Sequence, residues 1–172
     1  MATERAPAAR TADDRFDAIV LLPFGAVGVC THADAITEIS FLTGRVQEKR
    51  AVNALAMRAV EQLIAYCDDP SRRIELPLAI TGTEFQRRVW SEICQIPCGA
   101  TQSYGDLAQR LGSVARAVGQ ACGDNRFPLA IPCHRVVAAA GIGGFSHTAG
   151  GVHERIKRWL IQHEAHGSLQ LH

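Results

Sequence analysis

Residues 103–123 read SYGDLAQRLGSVARAVGQACG, and this stretch predicts two short helices joined by a tight turn. Ser103 can cap the first helix, and Gly112 can stop it because glycine readily adopts the left-handed conformation that ends many helices. Ser113 can then cap a second helix that continues through Cys122. The sequence therefore predicts a helix-turn-helix at this point of the chain.

The second predicted helix has two different faces. Its apolar side consists of Val114, Val118, Ala121 and Cys122. The opposite face carries Arg116, Gly119, Gln120 and Gly123, which are spaced i, i+3, i+4 and i+7. Two glycines let a backbone approach a ligand closely, and the Arg and Gln side chains offer hydrogen-bond donors to it. This face suits DNA, but packing of small residues against another helix would give the same pattern.

Further along the chain, residues 130–137 read AIPCHRVV and hold a cysteine next to a histidine. The apolar residues on both sides predict a buried location for Cys133 and His134. A buried cysteine is most often an inert core residue, whereas a neighbouring imidazole can activate it as a nucleophile. The residues alone leave both interpretations open.

The last predicted helix can supply a third group to this pair. Its apolar stripe consists of Ile156, Trp159, Leu160 and His163, and Glu164 borders that stripe. A carboxylate at this position can orient the imidazole of His134, or it can be a solvated residue near the end of a helix.

Before the helix-turn-helix, alternating apolar residues predict a small sheet. Three short strands over residues 16–22, 26–31 and 36–42 are separated by turns, which favours an antiparallel meander. An amphipathic helix follows and should cover one face of the sheet with the stripe Val52, Leu55, Ala59, Leu63 and Tyr66. A further strand is predicted for residues 74–80.

Thr81 and Gly82 mark the predicted boundary between two lobes. Residues 83–86 have the spacing of a capping box, so a new helix begins there and ends before Pro97. The predicted fold class is α+β, with a small antiparallel sheet and helix followed by a helical lobe with the helix-turn-helix. The predicted divisions are a flexible tail at residues 1–15, an N-terminal α/β lobe at 16–80 and a C-terminal domain at 81–172.

Composition and charge narrow the class of protein. Hydrophobic residues make up 47% and charged residues 20% of the 172 residues, as in ordinary globular domains. The net charge is +1, but residues 70–172 carry eleven Arg or Lys against seven Asp or Glu, so this half is the better candidate to contact a polyanion. The sequence has no apolar membrane span or signal peptide, and its six scattered cysteines fit free thiols. We therefore expect a cytoplasmic protein.

Several blocks of sequence together resemble one known family. They are Gly82-Thr83-Glu84-Phe85-Gln86 with Val89-Trp90, Ile96-Pro97 with Ser103-Tyr104-Gly105, Arg116-Ala117-Val118-Gly119, Asn125, and Ile131-Pro132-Cys133-His134-Arg135-Val136-Val137. In this order, from Gly82 to Glu164, the chain is similar to the methylated-DNA–protein-cysteine S-methyltransferases, which repair O6-alkylguanine in DNA. The N-terminal lobe matches this family in outline only.

The resemblance implies a reaction that each molecule performs once. Cys133 would accept the alkyl group from O6-alkylguanine, and also from O4-alkylthymine, in an irreversible displacement. His134, acting through a water and held by Glu164, would take the proton of the thiol. Asn125 would tie the recognition helix to the active-site loop, and Tyr104 would steer the target phosphate or donate a proton to the leaving base.

The resemblance also implies how double-stranded DNA is bound. The target nucleotide would be flipped out through the minor groove, with Arg116 filling the vacated space. The other expected DNA contacts are Thr101, Ser103, Tyr104, Ala115, Gly119, Gln120 and Arg135. The substrate pocket would include Val136, Phe145 and Ser146, with the backbone carbonyls of Cys133 and Val136 as acceptors. The protein would act as a monomer without a cofactor or metal.

The chain departs from the family pattern at several points. Arg126 stands where a proline commonly follows the hinge asparagine, and Phe145 replaces a frequent tyrosine. The loop after Ser146 is longer, and the turn between the two helices is shorter. Some relatives carry zinc in the N-terminal lobe, but we do not expect it here because Cys30 and His32 have no convincing second pair of ligands.

Two other functions are compatible with parts of the pattern. A DNA-damage-binding module would flip bases without chemistry, but the presence of Cys133 argues against it. A cysteine hydrolase would use Cys133 and His134, although such a pair is normally distant in sequence and the helix-turn-helix would be unexplained.

Overall fold

The computed structural model describes residues 12–143 and 151–169, and in these ranges the protein is α+β. The strands are β1 (Ala18–Leu22), β2 (Gly25–His32), β3 (Ala35–Leu42), β4 (Gln102–Ser103) and β5 (Val136–Val137). The helices are α1 (Ala54–Asp68), α2 (Glu84–Cys94), α3 (Tyr104–Leu111), α4 (Ala115–Gly123) and α5 (Gly151–Leu169). Short 3-10 turns lie at Ala12–Arg15, within the predicted tail, and at Cys133–Arg135.

Strands β1, β2 and β3 form the predicted antiparallel meander in sequential order. Directly opposed pairs such as Val20 with Val27 and Val29 with Ile39 bring buried β-branched side chains together. Helix α1 packs across this sheet through its buried residues Ala56, Ala59, Leu63 and Tyr66. Val52 was predicted to be in the same stripe, but it precedes the helix and is exposed.

The predicted strand at residues 74–80 is wrong. This segment pairs with β3 around Ile36, whose N–H donates to Pro77 O at 2.7 Å and whose carbonyl accepts from Ala79 N at 2.8 Å. The contact amounts to one isolated bridge, between Ile36 and Leu78. Pro77 has no N–H with which to extend the ladder, so a regular strand does not form.

The predicted starts of α2 and α3 are confirmed. Thr83 Oγ1 accepts the N–H of Gln86 at 3.1 Å, and Gln86 Oε1 accepts the N–H of Thr83 at 2.9 Å, which completes a capping box. Ser103 caps α3 in the same reciprocal way with Asp106. Gly112 ends α3 with a φ of 63°, in the left-handed region that favours glycine.

The predicted cap of α4 is wrong by one residue. Val114 occupies the N-cap position, makes no side-chain capping bond and is exposed instead of belonging to the apolar side. Ser113 is still part of the turn that ends α3, because its N–H donates to Ala108 O at 2.9 Å. The connection between the helices therefore covers residues 112–114, one residue more than a serine cap at position 113 would give.

One hydrophobic core connects the sheet to the helices. Val29 of β2 and Leu63 of α1 belong to the same buried cluster as Trp90 of α2 and Leu160 of α5. The short strands β4 and β5 pair in parallel, which places the start of α3 beside the turn that carries Cys133. The predicted domain boundary at residue 80 remains a prediction.

Two further properties concern only the residues that the structure describes. None of their helices combines the length and the apolar character needed to cross a membrane. They also contain no cluster of three or more His, Cys, Asp or Glu side chains arranged to hold a metal ion.

Thr83→Ala should lower the free energy of unfolding by about 1 kcal/mol, because it removes the side-chain acceptor of the α2 capping box. Urea unfolding followed by circular dichroism measures the change. Thr81→Ala is the control, because Thr81 is exposed and precedes the helix. Equal losses in the two variants would contradict a specific role for the cap.

Candidate active site

The Cys133 thiol is buried at the start of a 3-10 turn, with 3% of the residue exposed. Asn125 Nδ2 donates to Cys133 Sγ at 3.0 Å and to Ile131 O at 2.9 Å. The other amide atom, Asn125 Oδ1, accepts the N–H of Phe127 at 2.9 Å. The predicted hinge residue thus contacts both the thiol and the backbone of the loop that carries it.

The surroundings of Cys133 favour its protonated form. A hydrogen bond with the side chain of Cys122, at the end of α4, and burial raise the pKa of the Cys133 thiol well above its ordinary value. The donor from Asn125 acts in the opposite direction but is the weaker influence. Since the thiolate is the nucleophilic form, Cys133 requires a base in order to react.

Glu164 of α5 is buried and pairs with His134. Each residue is 1% exposed, and His134 Nε2 lies 2.7 Å from Glu164 Oε1. Because an ionised carboxylate only accepts hydrogen bonds, this contact assigns the imidazole proton to Nε2 and leaves Nδ1 as the basic nitrogen. The alternative of a solvated glutamate near the helix end is therefore wrong.

Three more residues donate to the Glu164 carboxylate. Arg135 contacts Oε2 through Nε at 2.9 Å and Oε1 through Nη2 at 3.0 Å. The Tyr66 hydroxyl donates to Oε1 at 2.7 Å, and the Gly99 N–H donates to Oε2 at 3.3 Å. Burial by itself would raise the pKa of Glu164, but the hydrogen bonds from His134 and Arg135, together with the charge of Arg135, hold it well below its usual range. Glu164 is consequently an anion at neutral pH.

The imidazole of His134 is neutral and has a lone pair available. Burial lowers its pKa, and this effect outweighs the opposing influence of Glu164. Within the described ranges, Nδ1 is the one buried side-chain nitrogen or oxygen without a hydrogen-bond partner. A neutral ring with its proton fixed on Nε2 is suited to accept a proton at Nδ1.

Arg135 was predicted to contact DNA, and that contact remains a prediction, whereas its internal contacts are defined. Its guanidinium bonds Glu164 twice and also donates through Nη1 to Ile96 O at 2.8 Å, and only 14% of its side chain is exposed. These internal acceptors use all three guanidinium nitrogens. Arg135 therefore belongs to the support of the carboxylate.

Lys157 is a buried site residue that the sequence did not identify. Its Nζ donates to Val136 O at 2.7 Å and to the Tyr104 hydroxyl at 3.4 Å, and burial lowers its pKa to about 8. Burial also raises the pKa of Tyr104, so this phenol keeps its proton. Its spacing from Glu164 could have identified it. Lys157 and Glu164 are seven residues apart, which is two helical turns, so they share one face of α5.

The residues predicted to contact DNA lie around the helix-turn-helix. Thr101, Ala115, Arg116 and Gln120 are exposed, and Ser103, Tyr104 and Gly119 are half-buried. Ser103 has a structural role as well, because its hydroxyl caps α3. The predicted pocket residues Phe145 and Ser146 lie outside the described residues.

Comparison with known proteins identifies the family. Residues 84–166 match the model of the 6-O-methylguanine DNA methyltransferase DNA-binding domain. The methylated-DNA–protein-cysteine methyltransferase of Mycobacterium tuberculosis is 34% identical over 149 residues, which cover 83% of this chain and 87% of that protein. The chain belongs to this family of methyltransferases.

Other similar proteins agree with this assignment. The regulatory protein Ada of Salmonella typhimurium is 43% identical over 115 residues, which make up 66% of this chain and 31% of Ada. The matched part of this chain thus spans under a third of that longer protein. The structure of Mycobacterium tuberculosis OGT in complex with DNA has a TM-score of 0.71 and 31% identity, and the match covers 87% of this chain and 92% of that one.

Glu164→Gln should make the stability of this methyltransferase less sensitive to acid. The folded pKa of Glu164 lies below the unfolded value of about 4.3, so the unfolded chain binds the proton more readily and stability falls as the pH drops below that value. The variant lacks this titration. Its free energy of unfolding near neutral pH should nevertheless fall by about 3 kcal/mol, because Arg135 loses its anionic partner. Urea unfolding at a series of pH values measures both effects.

Glu154→Gln is the matched control on the same helix. Its carboxylate pairs with Arg158 one turn away at 2.8 Å and has no part in the buried cluster. This variant should retain the acid sensitivity of the original chain. An unchanged pH dependence in Glu164→Gln would contradict the lowered pKa.

Proposed function

We propose that this protein repairs DNA by transferring the alkyl group of O6-alkylguanine to Cys133, once per molecule. The observation that supports this most directly is the series of contacts from Asn125 to the Cys133 thiol and from His134 to Glu164, beside a helix-turn-helix. Family membership and the DNA complex of a similar protein support DNA as the partner. A further substrate of the same kind is O4-alkylthymine.

The proton of Cys133 passes through a water molecule to His134 Nδ1, while the Nε2 proton stays hydrogen-bonded to Glu164. The lone pair on Nδ1 and the neutral state of the ring support this direction of transfer. The carboxylate stabilises the imidazolium that forms, and it holds the ring in the reactive tautomer.

The thiolate of Cys133 attacks the alkyl carbon in line with the bond to O6. A sulfur–carbon bond forms, the carbon–oxygen bond breaks, and its electron pair stays on the guanine. Tyr104 supplies a proton to the leaving base, and Lys157, whose Nζ donates to the same hydroxyl and whose pKa is lowered to about 8, gives its own proton to the phenol, which ends neutral. The thioether product has no leaving group comparable to guanine, so the protein is not regenerated.

Access to the alkyl group requires the nucleotide to leave the base stack, which costs a few kcal/mol. Helix α4 enters the minor groove, and the exposed Arg116 fills the space that the base leaves. The carbonyls of Cys133 and Val136 read the edge of the guanine. Both carbonyls have internal donors, but each oxygen retains a second lone pair for the substrate. We propose a monomer in the cytoplasm.

Cys133 should gain one methyl group after the protein is mixed with duplex DNA that contains O6-methylguanine. Intact-mass measurement and peptide mapping identify the modified residue. Cys133→Ser should abolish the transfer, while Cys30→Ser should leave it unchanged because Cys30 lies in β2, where its thiol donates to Arg15 O at 3.7 Å. Methylation distributed over several cysteines would contradict the assignment.

Arg116→Ala should slow repair of duplex DNA about tenfold, which corresponds to about 1.4 kcal/mol of lost transition-state stabilisation. The free base O6-benzylguanine needs no flipping and should react almost normally, provided that the pocket admits it. Single-turnover rates at saturating protein measure the effect on each substrate.

Arg110→Ala is the control for this experiment, because it removes the same charge from α3 of the helix-turn-helix. If Arg116 only attracted DNA phosphates, saturating protein or low salt should restore the rate of the variant on duplex DNA. Equal losses on duplex and free base in Arg116→Ala would instead mean that Arg116 supports the pocket or the fold.

A further inference from the structure

Tyr66 connects the N-terminal sheet-and-helix region to the catalytic carboxylate. It lies in the last turns of α1, 98 residues before Glu164, and is 3% exposed. Its hydroxyl donates to Glu164 Oε1 at 2.7 Å. The same oxygen lies 2.7 Å from His134 Nε2, so Tyr66 and the catalytic imidazole share one acceptor atom.

The ring of Tyr66 has its own packing, separate from the hydroxyl contact. It meets the ring of His163 edge-on, with centroids 5.6 Å apart, and His163 Nε2 lies 3.0 Å from the Tyr66 carbonyl. The ring of Trp159 stacks on the ring of His163, with centroids 4.6 Å apart. These contacts fix the ring between α1 and α5, so removal of the hydroxyl alone can be tested without removing the side chain.

We propose that Tyr66 is a positioning residue for alkyl transfer, whose hydroxyl holds Glu164 Oε1 in place against His134 Nε2. This inference rests on the proposed function. Arg135 restrains both carboxylate oxygens from the turn of His134 itself, and Gly99 contacts Oε2. Tyr66 is the donor to Oε1 that comes from a separate part of the fold, so it can fix this oxygen relative to the imidazole.

The hydroxyl also affects the basicity of the relay. Burial and the neighbouring Glu164 anion raise the pKa of Tyr66, so the phenol stays protonated and acts as a donor. A donor on Oε1 withdraws charge that would otherwise stabilise protonated His134. Loss of the hydroxyl should therefore raise the pKa of His134. The other ionisable groups that face the pair are Arg135, Lys157 and Cys98.

The test is Tyr66→Phe in single-turnover methyl transfer from duplex O6-methylguanine DNA, measured from acid to alkaline pH. We expect the maximal rate to fall about tenfold, equivalent to about 1.4 kcal/mol, with unchanged DNA affinity. We also expect the acid limb of the rate profile to move to higher pH, because a more basic His134 stays protonated longer. An unchanged rate and an unchanged limb would overturn the proposal.

Leu63→Val is the matched control for destabilisation. Leu63 is completely buried in α1, one turn before Tyr66, and makes no hydrogen bond to Glu164. It should lower the unfolding midpoint without moving the acid limb. If Leu63→Val reproduced both the loss of rate and the shift of the limb, the role of Tyr66 would be structural only and the proposal would be wrong.

Two further measurements keep the test decisive. NMR titration of the His134 ring in the DNA-free protein should show a higher pKa in Tyr66→Phe, and this readout does not depend on methyl transfer. An absence of transfer by the unaltered chain would therefore overturn the proposed function, whereas an unchanged His134 titration would overturn the role of Tyr66. If Tyr66→Phe does not fold, replacing Tyr66 by a ring-fluorinated tyrosine strengthens the donor and should move the titration the opposite way.

Discussion

The buried carboxylate of Glu164 is the constraint on which the rest of the site depends. An ion removed from water loses several kcal/mol of solvation, and it is tolerated only where enough donors replace the water. Here the donors come from three places in the fold: His134 and Arg135 in the 3-10 turn, Tyr66 in α1 and Gly99 after α2. The carboxylate can therefore be satisfied only when these segments are folded together, and this couples the formation of the site to the formation of the core.

In the proposed reaction, the acceptor cysteine has two requirements that oppose each other. It must be nucleophilic when a substrate is bound, yet a protein that reacts once is wasted if its thiol reacts with other electrophiles. Burial and the contact with Cys122 keep Cys133 protonated and therefore weakly reactive. The neutral His134 provides a base whose Nδ1 is available within the protein. Reactivity can thus be reserved for an alkyl group that enters the pocket and is aligned with the sulfur.

Local patterns predicted local structure well, whereas the roles of residues whose partners are distant in sequence could not be predicted in the same way. The capping box at Thr83 and the glycine stop at Gly112 are encoded within a few residues, and both are confirmed. Arg135 stands next to Cys133 and His134, but its observed acceptors are Ile96 and Glu164, which are distant in sequence, so local patterns could not predict them. Tyr66 was correctly predicted as a buried helix residue, since periodicity reports burial but cannot reveal the partner of a buried hydroxyl.

The segment that carries Asn125 is tied to the N-terminal sheet. A proline after the asparagine would fix one backbone angle locally. Arg126 lacks that property, but its carbonyl accepts the N–H of Ile39 in β3 at 2.9 Å and its guanidinium contacts Glu38 at 3.1 Å. The exposed ion pair contributes little by itself, whereas the backbone bond ties the segment to a paired strand. The N-terminal sheet thus restrains this segment, which makes that sheet part of the support of Asn125 and, through it, of the Cys133 thiol.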